Sequence, residues 1–190
     1  TMNLFAIRIR NLSCPLRYVC NLSFQSAAAL ITLFGTANVA STFAGDWPGF
    51  LGPGASSHSS DSVPISWSET ENLAWKVDLP GSGSSSPIVA GNKVIVTCYV
   101  NQATPMRQVF CFDKLTGKQL WAVDFPIDYR EDGYRGFITE HGYASNTPAT
   151  DGQDVFVFLG KGGVHRISLD GETKWSVDVG TGSSNRQWGS

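Results

Sequence analysis

Apolar residues in this chain come in short runs separated by polar, glycine-bearing turns. Val94-Ile95-Val96 follows Gly91-Asn92, and Val155-Phe156-Val157-Phe158-Leu159 follows Asp151-Gly152. Short β-branched and aromatic runs bounded by Gly, Asn and Asp predict strands. The second run has no polar side. A strand of that kind must be covered on both faces, not laid with one face in water. No long stretch after residue 45 carries a helical apolar period.

The runs repeat. Cys111-Phe112-Asp113-Lys114-Leu115-Thr116-Gly117-Lys118-Gln119-Leu120-Trp121 reads as a strand end, a tight polar turn and a new strand opening on a large aromatic. Asp113 can hydrogen-bond its own turn, and Gly117 can take a positive φ without steric cost. A weaker copy runs from Ser168 to Trp175, and both copies place Gly (Gly117, Gly171) four residues before Trp. Upstream, Ser86–Val96 parallels Thr147–Val157 at a constant offset of 61 (87 to 148, 91 to 152, 94 to 155). The two Trp lie only 54 apart (121 to 175) because the first unit has a longer internal hairpin around Asn101 to Met106. Each unit therefore predicts a four-stranded antiparallel meander. Such units stacked face to face make an all-β propeller, which covers both faces of every inner strand.

Composition supports short strands and many turns, with 20 Gly and 9 Pro in 190 residues. Charged residues are 16% and the formal net charge is −2, with no basic stripe, so nucleic acid is not an expected partner. The first 44 residues differ in kind. Arg8, Arg10 and Arg17 precede a short apolar core at Ala27–Phe34, and Thr42-Phe43-Ala44 ends it with small residues. This predicts a secretory signal over 1–44 and an exported, periplasmic or extracellular protein. The rival reading is an uncleaved anchor, although Thr36, Asn38, Ser41 and Thr42 dilute an apolar span. Residues 45–66 read as an extended linker and 67–190 as a partial propeller. Its blades lie at about 82–125 and 142–179, with a third begun at 184–190, and Trp75 sits on a strand that finishes another blade. Closed propellers need about 4–8 blades. With Thr before Met2 and a last strand that should continue, the chain is expected to be a piece whose missing blades are required for closure.

Cys14 and Cys20 fall in the signal; Cys98 and Cys111 fall on the strands joined by the Asn101–Met106 hairpin. A disulfide between them is one expectation, which export permits. The other is two small buried thiols.

The Asp113, Thr116, Gly117, Trp121 pattern resembles the tryptophan-docking motif of PQQ-type propeller repeats. Cys111 stands where that motif opens with Ala, and in the second copy Ile167 replaces the Asp. Asp46-Trp47-Pro48-Gly49-Phe50-Leu51-Gly52-Pro53 and Trp67 to Lys76 are similar to the opening of secreted bacterial BamB-like propellers. The resemblance implies an eight-bladed type of fold, with Trp75, Trp121 and Trp175 each docking onto the next blade, helped by Asp113, Thr116, Gly117 and Gly171. It implies a binding or scaffolding module, with protein partners and a membrane-associated complex among the expectations.

Two alternatives share the repeat: a PQQ-dependent dehydrogenase, and the extracytoplasmic sensor of a serine/threonine kinase-related protein. Only the dehydrogenase would bring PQQ and Ca²⁺; otherwise no cofactor is expected. There is no adjacent Cys pair and no recognisable metal-ligand pattern. Gly81-Ser82-Gly83-Ser84-Ser85-Ser86 and Gly160-Lys161-Gly162-Gly163 lack the spacing of nucleotide loops and read as strand-edge turns. The polar, aromatic insertion Asp128–Arg135 and the neighbouring Glu140-His141 lie on a rim loop, where recognition surfaces concentrate. Tyr129, Arg130, Tyr134, Arg135, Glu140 and His141 are the candidate recognition residues, against the alternative of a solvated loop. His58, in a Ser/Gly-rich stretch, and His165, on a strand, suggest no site.

Overall fold

A computed structural model describes residues 3–7, 45–59, 64–136 and 138–182. Among these residues ten strands form three antiparallel sheets. The first four-stranded sheet has the order β3 (Ile88–Ala90), β4 (Lys93–Val100), β5 (Met106–Asp113), β6 (Gln119–Pro126). The second repeats it with β7 (Ala149–Thr150), β8 (Asp154–Phe158), β9 (Val164–Ser168), β10 (Thr173–Val177). A separate pair joins β1 (Asn3–Ile7) to β2 (Leu73–Asp78). A one-turn helix, α1 (Ile138–His141), lies between the four-stranded sheets. The predicted meanders are thus present, as sheets that do not close on themselves.

Local chemistry sets the turns. Asp113 Oδ1 accepts hydrogen bonds from the Leu115 and Thr116 amides and from Thr116 Oγ1 at 2.8–3.1 Å. These bonds favour the carboxylate and hold the Asp113 pKa below its ordinary value. Gly117 completes the turn at φ 70°.

Two apolar clusters cover the first sheet on both faces. Ile88, Ile95, Val109 and Cys111 of the first sheet meet Val155, Val157, Leu159 and Ile167 of the second. The opposite face of the first sheet, with Val94, Val96, Cys98, Phe110 and Phe112, meets Trp75 on β2. The first sheet is therefore sandwiched, with β2 standing where a preceding blade would supply its last strand.

The register corrects one expectation. Cys98 pairs with Gln108, and Cys111 with Ile95 and Trp121. The strands meet three residues out of step with a Cys98–Cys111 pairing, and an odd offset sends the two side chains to opposite faces. Both thiols are free and buried, one in each cluster.

Residues 45–57 are bound more firmly than a linker. Trp47 exchanges two backbone hydrogen bonds with Val89, both 2.9 Å, along the open edge of β3. Pro48 O accepts the Thr150 amide of β7 at 2.9 Å, and Asp46 Oδ1 accepts the Gly91 amide at 2.7 Å. One short segment thus covers the edge strands of both four-stranded sheets. The predicted signal over 1–44, apart from β1, and the predicted third blade at 184–190 lie outside the described residues. No strand was read from the sequence at β1.

Candidate functional site

The antiparallel order gives the stacked sheets two rims with different tasks. On one rim, each sheet offers a tight turn to a Trp from the sheet before it. Trp75 Nε1 donates to Lys114 O at 2.9 Å, with its ring lying over Gly117. Trp121 Nε1 donates to Leu169 O at 2.9 Å, with its ring over Gly171. A Cβ on Gly117 would lie 2.6 Å from the Trp75 ring, and one on Gly171 would lie 2.7 Å from Trp121. Glycine at these turns thus makes room for the indole as well as taking the positive φ. Lys93 Nζ adds bonds to Leu169 O at 2.7 Å and Asp170 Oδ1 at 3.0 Å across the same junction. Trp175 occupies the equivalent place in the second sheet. It is 38% exposed and touches the Phe156 ring of its own sheet.

The other rim carries the insertion 127–148 between β6 and β7. Two buried cations hold it. Arg107, on β5, is only 2% exposed. Its Nη1 donates to Tyr129 Oη and lies 2.7 Å from Glu131 Oε1, while Nε donates to Tyr143 O at 2.8 Å. One guanidinium thereby ties both ends of the insertion to the sheet. Lys161, on the one-turn 3-10 helix Gly160–Gly162, donates to Asp132 Oδ1 at 2.7 Å and to Arg130 O at 3.3 Å. Tyr143 Oη closes the network on Asp132 O at 2.5 Å. Burial raises the Glu131 pKa despite the nearby Arg107, and burial likewise raises that of the Tyr129 phenol.

Beneath the insertion lies a hollow of about 370 Å³ walled by Phe125, Tyr129, Lys161, His165 and Ser176. A second, of about 450 Å³, opens beside it between Arg130, Asp132 and Lys161. His165 is buried, with its ring centroid 4.1 Å from that of Phe125, and burial lowers its pKa. The neutral ring donates through Nε2 to Gly162 O at 2.9 Å and accepts the Ser176 hydroxyl at Nδ1, 2.7 Å away.

The candidate recognition residues separate by direction. Tyr129 turns inward, whereas Arg130, Tyr134 and Arg135 face solvent. Glu140 and His141 lie on α1, where His141 Nδ1 sits 2.9 Å from Gly142 O. Arg107 and Lys161 were missed as part of this rim. One signal was available: Arg107 is the second residue of a strand whose Val109–Phe112 run is buried, and a charge in that setting must be paired. The Gly160–Gly163 segment is a turn as expected, but its lysine is structural. Among the described residues no three His, Cys, Asp or Glu side chains are grouped to hold a metal. Among the same residues no helix is long and apolar enough to cross a membrane.

No curated protein matches the chain. A protein-family model, described as outer membrane protein assembly factor BamB, matches residues 68–188, which is more than half of the chain. With its repeated four-stranded antiparallel sheets, each carrying a Trp near the start of its last strand, the chain belongs to this BamB-like, PQQ-repeat propeller family.

Proposed function

We propose that this chain is an exported binding and scaffolding module that presents the 127–148 insertion to a protein partner. Membership of the family implies protein–protein interaction in general. The observation that carries the finer reading is the tethering of the insertion by Arg107 and Lys161. A solvated connector has no need of two buried cations, whose desolvation must be offset by pairing. A recognition loop gains from such tethering, because order established in the free protein is not lost again on binding. On this reading 45–57 seals the inner strand edges, 67–190 is the partial propeller, and the docked Trp75 and Trp121 set the stacking. Export is supported by the Arg-rich start, the apolar core and Ala44.

The test replaces 128–135 with a Gly/Ser loop of equal length and compares cross-linked partners in the native envelope. Partner cross-links should disappear in the loop variant and persist when exposed Lys118, on the opposite rim, is changed. Unaltered cross-links in the loop variant would overturn the assignment.

A further inference from the structure

By sequence the insertion is acidic, with Asp128, Glu131, Asp132 and Glu140 against Arg130 and Arg135. Folding reverses the sign of what its tip presents. Glu131 and Asp132 turn inward onto Arg107 and Lys161. Arg130, Tyr134 and Arg135 remain exposed, with Tyr134 at 63%. Neither arginine forms an ion pair among the described residues.

Building on the proposal that this rim is the binding surface, we infer that the Arg130–Tyr134–Arg135 tip recognises an acidic segment of a partner protein. Each guanidinium offers a planar fork of donors that matches a carboxylate. Tyr134 supplies an amphipathic ring with little entropy to lose, supported by Tyr143 at a centroid distance of 5.7 Å. The open hollow beside Arg130 gives a neighbouring side chain room to enter. Binding to an extended polyanion such as nucleic acid or an anionic membrane draws on a broad positive field. This chain has net charge −2, and Asp128 is exposed beside the tip, so the positive charge is local. A short peptide read by close contact fits that pattern.

The test measures fluorescence anisotropy of a labelled peptide of repeating Glu-Asp-Phe, with its Gln-Asn-Phe counterpart and phosphatidylglycerol vesicles as separate arms. The acidic peptide should bind, weaken with added salt, and lose about tenfold or more in affinity in the R130E/R135E double variant. R130Q/R135Q should fall between the two, with thermal melts unchanged throughout because both side chains are exposed. Failure of the folded wild-type protein to bind the acidic peptide overturns the inference. So does equal binding of the neutral peptide, retention of affinity in the charge-reversed variant, or binding of vesicles in place of peptide. If partner cross-links vanish with the loop replacement yet survive R130E/R135E, the rim remains the binding surface and only the acidic-segment inference falls.

Discussion

Individual residues hold the sheets together at two kinds of point, the Trp-on-Gly turns and the buried titratable groups. Trp121→Ala removes a ring that both fills the junction and donates to Leu169 O. It should cost about 3–5 kcal/mol by denaturant melt in the whole propeller, while Arg130→Ala should stay within about 0.5 kcal/mol. Gly171→Ala should also destabilise, because φ 91° is unfavourable for an L side chain and Trp121 already occupies the Cβ position. Burial pushes the Cys98 thiol up to about 11 and the Cys111 thiol up to about 12. A raised folded-state pKa contributes stability that is present below the unfolded value and lost as pH rises toward the folded one. Iodoacetamide at pH 8 should therefore leave both thiols unmodified until the protein unfolds, and their contribution to stability should fade above about pH 9. His165 has the opposite sign. Its folded pKa lies below 6.5, so its contribution is present above that value and lost on acidification. His165→Gln should flatten the fall in melting temperature below about pH 6.5 relative to the wild type.

At the scale of elements, the insertion and the N-terminal segment are the parts whose order depends on others. Arg107→Met strands Glu131 in a partly buried site and frees both ends of 127–148. Breaking such a pair costs about 3–5 kcal/mol. Trypsin should then cut after Arg130 or Arg135 well before the sheets are attacked, whereas in the wild type those sites should open with the rest of the rim. Trp47→Ala should release 45–57 from the edge of β3. Hydrogen exchange should report this as faster exchange of the Val89 and Thr150 amides, whose acceptors are Trp47 O and Pro48 O. Unchanged protection would show that the segment does not seal these edges.

At the scale of the whole molecule, stacking decides stability. The first sheet is covered on both faces, but the second exposes Phe158 at 42%, Trp175 at 38% and Val177 at 51%. A contiguous apolar face of this kind calls for a neighbour. The 190-residue chain expressed alone should bind ANS and self-associate, as light scattering would show. A monomeric, sharply melting species without dye binding would contradict this. For export, mass spectrometry of the protein from the cell envelope should find a mature N-terminus at or within a few residues of Gly45; intact Met2 there would contradict cleavage.

The repeat, the strand order and the turn glycines could be read from the sequence because each is local chemistry repeated. Asp113 and Gly117 make their turn within a few residues, and the 61-residue offset repeats the pattern whatever surrounds it. The apolar character of both sides of Val155–Leu159 could be read too, but only the Val155, Val157, Leu159 side is covered here, and Phe158 on the other is 42% exposed. The candidate recognition loop was legible as a polar, aromatic insertion. Its orientation was not, because Arg107 lies 22 residues from Tyr129 and 36 from Tyr143 along the chain. Sequence spacing carries no information about contacts of that range. The same limit hid the register that parts Cys98 from Cys111, and the way Asp46–Pro48 closes the edges of β3 and β7. Tertiary structure alone decided which charges of the insertion are neutralised inside and which face solvent. That sorting depends on buried cations from other strands, and it turns an acidic stretch of sequence into an arginine-and-tyrosine tip.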